Sequence, residues 1–227
     1  LRQALIDVPD GGTIQFSAAL NGQTITLTTA ELVISKSITI TGPRPALLTV
    51  ARNQQAPQFR VFHVIPGHTA EINGLTISGG RIMDNGGGIL NDHSTLTITN
   101  CTVSGNTVSN NLNTGNNPSG GGIRNSGTMT LNQVTVNNNQ AFYNGGNGLP
   151  TGGGISNDGT MTIIGGAIQS NTGFWSAGGI TNSGMMTITD SVISGNQNSF
   201  AGHFGGPGGG IVNGGTMTIQ NSTISGN

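Results

Sequence analysis

The chain has 227 residues, 40 of them glycine, with 7% charged and 33% hydrophobic residues and a formal net charge of −1. Abundant Gly, Thr and Asn beside few helix formers argue against a helical or α/β globule. A charge near zero removes the electrostatic basis for binding nucleic acid or an anionic membrane, and apolar residues at fixed offsets exclude a disordered chain.

The single cysteine, Cys101, rules out an intrachain disulfide framework. No run of 18 apolar residues marks a membrane span, and Leu1-Arg2-Gln3 lacks the shape of a signal peptide, so a mature or excised chain is expected.

At the N-terminus, Leu1, Ala4, Leu5 and Val8 have helical spacing, which predicts a short capping helix within residues 1–12. Residues 13–85 read as degenerate coils. Ser37-Ile38-Thr39-Ile40-Thr41-Gly42 matches the middle of a later repeat, and the stretch from Thr69 to Gly79 matches its second half.

From residue 86 to 227 the repeat is plain, with copies starting at Gly86, Gly120, Gly152, Ala177 and Gly208. The last copy, Gly208 to Asn227, is a core of 20 residues, GGGIVNGGTMTIQNSTISGN. Apolar and polar residues alternate within it, the two-residue period of a strand with one buried face. Three short strands fit per core, with four matched apolar columns beginning at Ile89, Leu96, Ile98 and Val103. One core cannot bury these side chains alone, whereas stacking at the strand spacing of roughly 4.8 Å makes them continuous. The whole chain is therefore expected to be one all-β domain, a parallel β-solenoid of about seven coils. Two asparagine columns, beginning at Asn91 and Asn106, fall beside turns and predict side-chain amide ladders at the corners. Because Asn227 closes a core in register, the sequence predicts that the natural chain continues, or that another surface covers that end; self-association through it is a further expectation.

The segments between cores, 107–119, 140–151, 172–176 and 197–207, hold every aromatic residue after Phe62: Phe142, Tyr143, Phe174, Trp175, Phe200 and Phe204. All leave the coil at one position, so they predict a column of loops whose aromatics either bind a sugar or protein partner or fold down over the coil edge.

Leu1-Arg2-Gln3-Ala4-Leu5, Gly12-Thr13-Ile14-Gln15-Phe16, the stretch from Ser35 to Gly42 and the GGGIxNxGTMTI…ISGN units together resemble bacterial secreted proteins of the pectin-lyase-like superfamily. The kinship is with large surface proteins that carry a C-terminal anchor and with polymorphic outer membrane protein repeats. The resemblance spans essentially the whole chain and implies a right-handed, single-stranded parallel β-helix at the cell surface or outside the cell, adhesin-like or structural in role.

Pectate lyases of this fold need calcium-binding carboxylates and an Arg or Lys base. Beyond Arg124 this chain has no Lys or Arg, and its only acidic residues there are Asp158 and Asp190. The charged residues with the best chance of meeting across coils are Arg60, His63, His68, Arg81, Asp84, Asp92 and His93, and a polysaccharide-active enzyme would need a cleft lined by them. No catalytic residue, cofactor or metal ligand is assigned. The outward Thr-x-Thr pairs from Thr95 and Thr97 to Thr216 and Thr218 would also suit an ice-binding face, although Thr is simply favoured on exposed strands.

Overall fold

The computed structural model describes residues 1–111, 115–145, 148–199 and 208–227. It is 47% strand and 4% helix, and its strands form four parallel sheets. The coil beginning at Ile89 contributes one strand to each face in turn: Ile89–Asn91, Thr95–Thr99, Thr102–Ser104 and Thr107–Ser109. Equivalent strands of neighbouring coils pair in parallel, giving seven, eight, eight and five strands on the first to fourth faces. Within the stretch expected to form degenerate coils, Thr13–Gln15 and Gln23–Leu27 already pair with Ile38–Thr41 and Leu48–Arg52, which gives the second and third faces their eighth strand.

Register carries like onto like. Ile89, Ile123, Ile155, Ile180 and Ile211 align on the first face, and Leu96, Met129, Met161, Met186 and Met217 on the second. These side chains belong to one core running the length of the stack, with Ile211 and Met217 of the last coil only partly buried. The inner Ile219 and Ile224 of that coil are exposed, whereas their counterparts Ile188 and Ile193 one coil back are buried.

The expected helix is present as Arg2–Asp7. Leu5 and Val8 are buried and Leu1 and Ala4 pack against the core. Lys36 Nζ donates to the carbonyls of Ile6 and Val8 at 2.6 and 2.7 Å, placing a cation on the unpaired acceptors of the helix end. No helix among the described residues is long and apolar enough to cross a membrane.

The glycine triplets have two separate causes. The first glycine of a triplet takes a left-handed conformation at Gly86, Gly120 and Gly152, with φ of 66°, 72° and 60°. The second and third pass too close to the fourth-face strand of their own coil or to the next coil for a side chain: a Cβ on Gly121 would lie 2.4 Å from the carbonyl oxygens of Gln140 and Gly153, and one on Gly122 2.7 Å from that of Gly154.

One expectation changes. The segments between cores do not leave the coil at once. Each opens on a strand, Thr107–Ser109, Gln140–Phe142, Thr172–Gly173 or Gln197–Asn198, and these join Arg81–Ile82 in the fourth sheet. Such strands are nearly silent in sequence because each covers at most one apolar side chain, Ile82, Val108 or Ala141, and Gly173 offers none.

Candidate functional site

The asparagine columns are structural. Asn91, Asn125, Asn157 and Asn182 each donate Nδ2 to Oδ1 of the next coil's asparagine at 2.7 Å, ending at Asn213. A second ladder runs from Asn106 through Asn139, Asn171 and Asn196 to Asn227 at 2.8–3.0 Å. The ladder amides donate in addition to backbone carbonyls of the corners, so they are committed to the fold.

Past the fourth-face strands, the loops remain stacked on one another. Asn144 N donates to Asn110 Oδ1 at 2.7 Å, Leu149 N to Asn117 Oδ1 at 2.6 Å, and Asn116 Nδ2 to the Met83 carbonyl at 2.7 Å. Trp175 N donates to the Pro150 carbonyl at 3.0 Å. Loops fixed in this way hold their side chains in place before any partner arrives.

These loops bring two of the six expected aromatic residues into contact. Tyr143 and Phe174, from successive coils, stack with ring centroids 4.4 Å apart and planes 8° from parallel. Their sequence neighbours Phe142 and Trp175 are exposed over 42% and 43% of their surface, while Tyr143 and Phe174 are half-buried. The result is an aromatic step on the outer edge of two adjacent coils. Phe200 and Phe204 lie outside the described residues.

The charged candidates also meet, in part. Arg60 pairs with Glu31 at 3.2 Å and with Asp84 at 2.8 Å. His63 Nδ1 lies 3.1 Å from Glu31, its Nε2 3.8 Å from Asp92, and Asp92 pairs with His93 at 2.6 Å. Glu31 is the member that sequence reading missed, because it precedes the Leu32–Ile34 strand of a degenerate coil with no repeat register to align it. Burial pushes the Glu31 carboxyl up, but its hydrogen bond to His63 and the charges of Arg60 and His63 outweigh that and hold it below the usual carboxylate range. Arg81 and His68 stand apart from these ion pairs. Arg81 lies on the fourth face, and His68 lines, with His93, Thr95 and Thr128, a surface pocket of about 370 Å³ along the corner between the first and second faces.

Each carboxylate of the cluster is matched by Arg60 or a histidine, and Arg60 is buried. The cluster bridges three successive coils and works as a clamp on them. Of the two acidic residues beyond Arg124, Asp158 is paired with Arg124, which also donates to the hydroxyls of Ser119 and Ser156 at 2.8 and 2.7 Å. Asp190 occupies a left-handed corner at φ 52°. Among the described residues, no group of three His, Cys, Asp or Glu side chains is placed to hold a metal ion.

The outward threonines of the second face fall in register, interrupted by Met185, which lies between Thr160 and Thr216. A comparable row, Thr24, Thr49, Thr76, Thr102 and Thr135, lies on the third face.

No protein-family model, no curated protein and no solved structure matches the chain.

Proposed function

We propose that this chain is a non-catalytic, extracellular surface solenoid of the pectin-lyase-like kind, adhesin-like in role, which binds glycans at the aromatic step formed by Phe142, Tyr143, Phe174 and Trp175. The observation that carries this reading is the stacked Tyr143–Phe174 pair, whose sequence neighbours Phe142 and Trp175 are exposed. Aromatic rings held at the surface by a rigid scaffold suit the apolar faces of sugar rings, and burying them against a ligand recovers on the order of 1.5–3 kcal/mol for a fully covered side chain. Aromatics meant only to seal the coil edge would be buried.

Two competing readings have less support. A polysaccharide-cleaving enzyme needs carboxylates and a base available to substrate, whereas the charges that gather here neutralise one another. An ice-binding face needs one distinctive threonine plane, whereas threonines line two faces, as strand propensity alone would place them.

Trp175 is the only tryptophan and Tyr143 the only tyrosine of the chain, so intrinsic fluorescence reports on the site directly. Titration with a panel of soluble polysaccharides is expected to change Trp175 emission for at least one of them, and Trp175→Ala should abolish retention of the protein on that polymer. If no polymer is retained, or Trp175→Ala binds like the parent, the reading is wrong.

A further inference from the structure

We propose that the fourth face and the aromatic step form one continuous track for a linear, uncharged polysaccharide lying along the solenoid axis. This inference rests on glycan binding at the aromatic step and names the class of ligand that the site takes.

Parallel pairing on the fourth face sets Arg81, Thr107, Gln140, Thr172 and Gln197 in one row, one residue per coil. Their strand neighbours Val108 and Ala141 are buried on the opposite side of the strand, whereas in the row itself Arg81 and Gln197 are exposed and Thr107, Gln140 and Thr172 half-buried. At a strand spacing of about 4.8 Å, five coils give a row roughly 19 Å long. Beyond Arg81 the row consists of hydroxyl and amide side chains, each of which both donates and accepts hydrogen bonds, as sugar hydroxyls do.

The aromatic residues run beside this row. Phe142 stands two residues beyond Gln140 and shares its outward side of the strand Gln140–Phe142. Phe174 follows Thr172 by the same interval on the next coil. A polar row parallel to an aromatic row fits a pyranose chain, which presents hydroxyls at its edges and C–H groups on its faces.

Charge narrows the ligand further. From Thr107 onward the row is uncharged, and beyond Arg124 the chain has no Lys or Arg. Arg124 itself is engaged by Asp158 and two serines. Among the described residues, a polyanion laid on this face would meet Arg81, with the buried Arg52 beside it, at one end only, and its successive carboxylates would lose water with nothing to replace it. A neutral chain loses no such solvation.

The test is a length series read by Trp175 fluorescence: cello-oligosaccharides and N-acetylated chito-oligosaccharides from dimer to hexamer, with oligogalacturonides of equal length beside them. Affinity for at least one neutral series should rise by about tenfold or more from dimer to hexamer as further coils engage, and oligogalacturonides should bind more weakly at every length. Gln140→Ala and Gln197→Ala, both checked for parental circular dichroism, should each weaken hexamer binding roughly fivefold, and Gln197→Ala, two coils from Phe142, should leave dimer binding unchanged. Affinity independent of length, parental hexamer binding by both glutamine variants, or equal binding of oligogalacturonides would overturn the track. In each of those cases loss of binding in Trp175→Ala still supports the aromatic step. Binding that survives Trp175→Ala, or no binding of any sugar, overturns both.

Discussion

The rings of Tyr143 and Phe174 meet face to face at 4.4 Å although 30 residues of chain separate them, because they occupy adjacent coils. The stack is thus a tertiary contact between two loops, and it should steady both. Stacked aromatic pairs contribute about 0.5–1.5 kcal/mol beyond their burial. In a double-mutant cycle of Tyr143→Ala and Phe174→Ala, urea denaturation should give a coupling of about 1 kcal/mol. Additive effects would mean that the rings touch without supporting one another, and the preorganised step would lose its basis.

The asparagine ladder makes a sharper stability prediction. Asn157 accepts from Asn125 and donates to Asn182, both at 2.7 Å, with no exposure to solvent. Asn157→Ala strands the buried Oδ1 of Asn182, while Asn125 Nδ2 keeps the carbonyls of Gly127 and Thr160. One stranded group is worth about 1–3 kcal/mol, so a loss of about 2 kcal/mol is expected. Asn213 receives the same bond from Asn182 but is itself exposed, so water can take its place and Asn213→Ala should cost less than about 1 kcal/mol. Similar losses at the two positions, measured by the same urea transitions, would show that burial does not govern the ladder.

Coil stacking, core columns and corner ladders were all legible in sequence because each repeats: Ile89, Met129 and Asn157 announce themselves by recurring at fixed offsets. The fourth face was not, since Gln140 and Thr172 flank only Ala141 and Gly173, too little apolar signal to mark a strand. The aromatic residues were visible as a list, but the meeting of Tyr143 with Phe174 depended on how unequal loops stack. The charged clamp was half visible for the same reason: Arg60, His63 and Asp92 stood out by residue type, whereas Glu31 lies in a coil whose repeat has decayed. Periodic features can be read from sequence because stacking translates them by a constant step, while contacts between insertions follow no step.

The clamp predicts a direction of pH dependence. Glu31 is held below the ordinary carboxylate range, so the folded state binds its proton less readily than the unfolded chain does. Its contribution is therefore complete above the unfolded value of about 4.3 and is lost as pH falls through the lower folded value. Hydrogen exchange in Leu32–Ile34 and Phe62–Val64, the first-face strands beside Glu31 and His63, should accelerate in that acid window, beyond the intrinsic change with pH. Glu31→Gln should show faster exchange in both strands already at pH 7 and little further change on acidification. An acid response unaltered in Glu31→Gln would assign it to other carboxylates.

Cys101 reports on opening of the coil stack. Its Sγ lies within the core, 3.4 Å from Leu75 N, which donates to it, and 3.6 Å from the Ile72 carbonyl, and the residue is buried. Burial pushes the thiol up from 9.0 to about 11, against a smaller opposing effect of the backbone hydrogen bonds from Leu75 and Gly74. The thiolate is the reactive form, so an aromatic disulfide reagent at pH 8 should label the native protein only as fast as the coils around residue 101 separate, and at once in strong denaturant. The same shift sets an alkaline limit: a thiol kept protonated by the fold contributes stability below pH 9, and that contribution is lost as pH rises towards 11. Cys101→Ala should flatten the stability profile across this interval while lowering stability at neutral pH through the cavity it leaves. Rapid labelling of the native protein at pH 8, at a rate indifferent to urea, would place the sulfur at the surface and contradict the stacked core on which the rest of the fold depends.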